Sequence, residues 1–84
     1  MKRSTDEIRY LILKLLSEKR INVEQIRKKI NTSLQTMLQN AEDLEIFGFI
    51  KMYEIDIGKR KYRELEITEE GKKFFESIKK KFES

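Results

Sequence analysis

Apolar residues recur along this chain at two different spacings, and the changeovers divide it into elements. Ile8, Leu11, Ile12, Leu15 and Leu16 follow one another at three and four, which draws a stripe down a helix. Ser4-Thr5-Asp6-Glu7 precedes them in capping-box form, so a helix is predicted over about residues 5 to 18. Tyr10 and Leu13 fall off that stripe. This helix is therefore apolar on more than one side: either it sits centrally, or part of it faces another subunit.

Lys19-Arg20-Ile21 reads as a connector. Asn22, with Gln25 three residues on, then caps a second helix whose inner edge is Val23, Ile26 and Ile30. Asn31 tolerates left-handed backbone, and Thr32 with Gln35 offers the next cap. A third helix is expected over about residues 33 to 47, with Leu34, Met37, Leu38, Ala41, Leu44 and Phe47 as its stripe and Gly48 as its stop. From Phe49 to Ile57, and again from Tyr62 to Ile67, β-branched and aromatic residues predict two strands. Gly58-Lys59-Arg60-Lys61 turns between them, which gives a hairpin with a basic tip. Thr68 caps a last helix with Glu69 and Glu70 in its first turn, Gly71 inside it at a cost of about 1 kcal/mol, and Phe74, Phe75, Ile78 and Phe82 on its apolar face.

Composition narrows what this unit can do. At 84 residues the chain holds one domain, 1–84, with a small core. There is no Cys and no His, so thiolate chemistry, zinc knuckles and the commonest general base are excluded. No apolar run approaches the ~20 residues that span a bilayer. Met1-Lys2-Arg3 is followed by acids rather than an apolar stretch, so no secretory signal is read there. The expectation is a soluble cytoplasmic protein. Glu42-Asp43 and Glu69-Glu70 are adjacent on helices and diverge by about 100°, so neither pair converges on a metal. No catalytic residue, metal ligand, cofactor or small-molecule effector is expected, and no enzyme.

Helix, short helix, tight turn, helix, basic hairpin, helix: this order resembles a winged helix-turn-helix domain. Two stretches carry the resemblance, Leu44-Glu45-Ile46-Phe47-Gly48-Phe49-Ile50-Lys51 and Leu65-Glu66-Ile67-Thr68-Glu69-Glu70-Gly71-Lys72-Lys73-Phe74. The chain is similar to small prokaryotic winged-helix DNA-binding proteins, archaeal ones in particular, including those of archaeal viruses and plasmids. The resemblance covers about Thr5 to Phe82. It implies an α+β, mostly α fold: three helices, a two-stranded hairpin wing and a C-terminal helix.

The resemblance also makes the third helix the one that enters the major groove. Thr32, Ser33, Gln35, Thr36, Gln39 and Asn40 are its candidate contacts, since Gln and Asn can pair with adenine and Thr can offer a methyl to thymine. Arg27 and Lys28 on the second helix, and Lys59, Arg60, Lys61 and Arg63 on the wing, would neutralise phosphates. The net charge is +5 over residues 1–31 and −3 over 32–55. The first half of the third helix lacks Arg and Lys, which points to A·T-leaning or shape-based readout.

The functional expectation is a DNA-binding transcriptional regulator whose partner is double-stranded DNA. The rival is a winged helix used only as a protein–protein adaptor, which the acidic middle block favours. A homodimer held by Tyr10, Leu13, Ile78 and Phe82 is expected, with two third helices one DNA turn apart.

Overall fold

The computed structural model describes residues 4–83; Met1-Lys2-Arg3 and Ser84, the two ends of the expected 1–84 unit, lie outside the described residues. The order is α1 (Thr5–Leu16), β1 (Ile21–Asn22), α2 (Val23–Ile30), α3 (Leu34–Ile46), β2 (Ile50–Ile57), β3 (Arg60–Ile67) and α4 (Glu69–Glu83). The mostly helical α+β class expected is the one observed. One element was not expected. Ile21, read as the end of a connector, and Asn22, read as a helix cap, also form a short strand: Ile21 pairs with Leu65 and Asn22 with Glu64. The sheet therefore has three strands in the order β1-β3-β2, with β3 in the middle.

Caps fix the helix starts. Ser4 accepts the Glu7 N–H at 3.1 Å and Asn22 accepts the Gln25 N–H at 2.8 Å. Asn31 ends α2 in left-handed geometry (φ 54°), and the Thr32 N–H reaches back to the Arg27 carbonyl at 3.2 Å. The cap of α3 is Ser33 rather than Thr32: its hydroxyl accepts the Thr36 N–H at 3.1 Å. Gly48 stops α3 at φ 82°, with the Phe49 N–H on the Leu44 carbonyl at 2.9 Å.

The core draws on every element: Ile12, Leu13, Ile26, Met37, Leu44, Ile50 and Leu65 are its largest fully buried side chains. The double-sided character of α1 is resolved within one chain. One side meets α2 and α3, and the other meets α4. Tyr10 is buried between the rings of Phe75 (5.8 Å) and Phe82 (4.7 Å), and Leu13 is 0% exposed. Tyr10 and Leu13 are thus unavailable as the dimer surface expected of them, because Tyr10 is stacked against α4 and Leu13 is enclosed in the core. Ile78 and Phe82 are also partly buried against the same core.

Gly71 has a role beyond its propensity cost. A Cβ built there would lie 2.0 Å from the Phe49 carbonyl oxygen. Only glycine lets α4 pass so close to the chain entering β2. Thr68 fixes the same crossing: it donates its hydroxyl to the Gly48 carbonyl (2.7 Å), accepts the Gly71 N–H (3.0 Å) and donates its own N–H to the Phe49 carbonyl (3.0 Å).

Candidate nucleic-acid interface

The surface that bears on function lies between the start of α3 and the distal part of the hairpin. It starts from the turn between α2 and α3. Arg27 donates to Glu24 one helical turn away and to the Thr32 carbonyl at 3.4 Å. The Arg27 guanidinium holds the Glu24 carboxyl below the usual carboxylate range, and Glu24 in turn raises Arg27. Arg27 is therefore spent on bracing the turn that sets the entry of α3, whereas Lys28 is exposed.

The polar residues of α3 divide into two groups. Gln35 and Gln39, four apart, stand exposed on one face. Ser33 is occupied as the cap and also donates its hydroxyl to Thr36 Oγ1 at 2.9 Å. Thr32 and Thr36 are half-buried. Asn40 faces the body rather than outward, as a buried polar residue. Its amide donates to the Thr36 carbonyl at 2.9 Å, and its oxygen accepts from Arg9 Nε at 3.3 Å. Arg9 also reaches Asp43 at 2.7 Å, so α1 clamps the middle of α3. Asn40 is thereby removed from the candidate contacts and becomes a positioning residue. Burial requires both ends of its side-chain amide to be paired, and the Thr36 carbonyl and Arg9 pair them.

Across from α3 stands the hairpin. Ile57 pairs with Arg60, so Gly58-Lys59 is a two-residue turn. Gly58 takes φ 60°, the geometry of a type II′ turn with Gly first. Arg60 and Lys61, expected in the turn, are the first residues of β3. Residues 56–61 are all exposed, so this tip stands clear of the body. At the root, Arg20 stacks 4.1 Å over Tyr53 and reaches Glu64 at 2.6 Å, which ties the approach to β1 into the sheet.

Between hairpin and helix lies a groove of about 290 Å³ lined by Asn22, Val23, Glu24, Leu34, Leu38, Lys61, Tyr62 and Arg63. Among the described residues, Lys59, Arg60, Lys61 and Arg63 make no side-chain hydrogen bond or ion pair. Leu34, assigned from its spacing to the core stripe of α3, is 47% exposed in this groove. Its position directly after the Ser33 cap, on the first turn of the helix, was the available signal. Three of the four acids in the two adjacent carboxylate pairs are held by cations. Asp43 lies on Arg9, Glu69 on Lys72 and Glu70 on Lys73. No three His, Cys, Asp or Glu side chains among the described residues converge as a metal site. None of the described helices is long and apolar enough to cross a membrane.

A three-helix body with a projecting basic hairpin and a capped, polar-faced third helix defines the winged helix-turn-helix class. The chain belongs to the winged helix DNA-binding domain family, whose model matches residues 8–84. No curated protein sequence matches it. Among solved structures it is similar to the smu.1704 protein of Streptococcus mutans UA159, at 23% identity and TM-score 0.85, over 94% of this chain and 78% of that one. The transcriptional regulator homologue of Pyrococcus horikoshii OT3 aligns at 28% identity and TM-score 0.73, over 89% and 78%. PadR of Bacillus subtilis, solved in complex with operator DNA, aligns at 19% identity and TM-score 0.78, over 84% of this chain and 45% of PadR. The likeness thus reaches bacterial as well as archaeal proteins.

Proposed function

We propose that this protein is a transcriptional regulator that sets the N-terminal half of α3 in the major groove and lays its wing on the flanking phosphates. The observation that carries the reading is two free surfaces close together, the exposed glutamines at the start of α3 and the unpaired cations of the wing. Gln35 and Gln39 are exposed on the face of α3 next to the groove, and Lys61 and Arg63 line its wing side without partners among the described residues. Gln can bond adenine N6 and N7 together, while the cations displace counterions from the backbone. Lys28, Lys59 and Arg60 extend the phosphate-binding set. Ser33, Thr32 and Thr36 shape the start of the helix more than they reach out from it.

The regulator reading includes a homodimer on a pseudo-palindromic site. Its contacts would have to come from what α4 leaves uncovered at Ile78 and Phe82, because Tyr10 and Leu13 are enclosed. Sedimentation at micromolar concentration tests it, and a monomer on both free and DNA-bound samples would count against it.

The adaptor alternative has one observation in its favour. Ile46 (78% exposed) and Phe47 (54%) sit beside Glu42 and Glu45 at the far end of α3. Mobility shift on random duplexes, followed by selection of bound sequences, separates the two. For a regulator a preferred site emerges, and Gln39→Ala weakens that site by about 1–3 kcal/mol while leaving random duplex nearly unaffected. An adaptor retards no duplex at any salt concentration.

A further inference from the structure

Leu34 is the one large apolar side chain left open on the groove side of α3, and the groove around it has a distinct chemistry. Its lining joins the apolar side chains of Val23, Leu34 and Leu38 to Lys61 and Arg63 of the wing; Asn22 and Tyr62 complete it, with Glu24, whose charge is paired by Arg27. Leu34 is the first residue of α3 and stands between the Ser33 cap and the exposed Gln35. An exposed leucine gains nothing from water, and a polar residue there would fill the first helical turn equally well. From this arrangement we infer that Leu34 reads the C5 methyl group of a thymine, and so acts as a specificity-determining residue. This rests on the DNA-binding reading above.

The match is one of chemistry and of placement. In the major groove thymine presents one acceptor and one apolar group, the methyl, which cytosine lacks and which side chains contact by burial rather than hydrogen bonding. That methyl projects from the edge of the base on the side of its own strand's backbone. A surface that binds it must therefore put an apolar spot next to phosphate-binding cations. Leu34 and Leu38 beside Lys61 and Arg63 have that composition. The methyl would cover the open part of Leu34, while the two cations hold the phosphates of the same strand. Gln35, exposed about 100° round α3 from Leu34, would then meet an adenine of a different pair. Together they give A·T preference to a helix whose first half has no Arg or Lys.

The test uses the full chain and its selected duplex. Each thymine in turn is replaced by deoxyuridine, which removes the methyl and leaves every hydrogen-bonding group unchanged. At one thymine per bound protomer the substitution weakens binding about fourfold, the value of one buried methyl-sized group. With Leu34→Ala the deoxyuridine and thymine duplexes bind alike at that position, while Leu34→Met keeps the difference. The native chain binding every deoxyuridine duplex as tightly as the thymine one would overturn the inference. So would a methyl effect that persists undiminished in Leu34→Ala, because another side chain would then be the reader. Both outcomes leave the DNA-binding reading intact. A chain that shows no preference among duplexes fails that reading first, and this inference with it.

Discussion

The seam between α1 and α4 and the groove between α3 and β3 hold similar kinds of side chain in opposite states. In the seam, aromatic rings and charges close on one another. Tyr10 is stacked between Phe75 and Phe82, and Lys14 reaches Glu83 at 3.1 Å. In and beside the groove, Lys61 and Arg63 on the wing and Gln35 and Gln39 on the next face of α3 meet solvent, with a half-open leucine between. An excess of apolar residues on a helix says that it has a second neighbour. It does not say whether that neighbour belongs to the same chain. Here the chain supplies it, and the surface left for another molecule is the polar, basic one.

That contrast can be broken from either side. The largest effect is expected in the seam. Leu13→Glu places a charge where exposure is 0%, at a cost of more than about 4 kcal/mol. Loss of the cooperative thermal transition is the expected readout. A folded protein would mean that Leu13 is not enclosed in the core.

In the groove, the corresponding loss is of affinity. Replacing Lys59, Arg60 and Lys61 by Ala should weaken binding to all duplexes about a hundredfold at physiological salt and flatten log K against log salt by up to about three phosphates' worth. The fold should stay intact, which thermal melting checks. An unchanged salt slope would place the wing tip off the DNA.

Gly71→Ala tests the crossing behind the seam. Its methyl meets a backbone carbonyl that cannot swing aside, so denaturant unfolding should show a loss of about 1–3 kcal/mol. In an ordinary helix interior the same change would stabilise.

The smallest effect belongs to the exposed end of the seam. The Tyr10 hydroxyl, with Lys14 beside it, holds the Glu83 carboxyl below the usual carboxylate range. Glu83 in turn raises Lys14, while burial and then Glu83 push Tyr10 up. The Tyr10 hydroxyl is buried without a well-formed hydrogen bond among the described residues, so Glu83 acts on it through proximity. A carboxyl lowered on folding contributes stability above its ordinary pKa and loses it as pH falls through the lowered value. Lys14→Met should therefore lower the melting temperature slightly at neutral pH, and the difference should vanish in acid. A constant offset at all pH values would assign the effect to packing.

The parts of the fold legible in the sequence are those with a local cause. The caps at Ser4, Asn22 and Thr68, the stop at Gly48 and the basic hairpin each depend on residues within a few positions of one another. The parts that were not legible depend on distant partners. β1 is two residues long, too short to show a period, and exists because Leu65 and Glu64 pair with it. Thr32 and Ser33 are adjacent hydroxyl residues with equal claims to the cap; which of them caps is fixed by where the Asn31 turn releases the chain. Asn40 looks like any outward polar residue until Arg9, 31 positions earlier, is brought against it. Gly71 reads as a propensity defect because the Phe49 carbonyl that requires it lies on another element. At the candidate site, Gln35, Gln39 and the wing cations were visible as types. Leu34 was visible only as a member of the stripe, on the first turn; how far it stays open is decided by where the wing stands.

The short strand β1 has a consequence for how the wing breathes. It pairs only with the C-terminal half of β3, at Glu64 and Leu65, while the distal half of the hairpin has β2 alone as a neighbour. Amide hydrogen exchange should therefore form a gradient along β3: near the global unfolding limit at Leu65, and close to free exchange from Arg60 to Tyr62, where a two-stranded ribbon frays without disturbing the core. A tip that frays in solution must be ordered when it meets DNA. Part of the phosphate attraction is then offset by the conformational entropy of residues 57 to 61, and stiffening the turn would tighten binding without adding a contact.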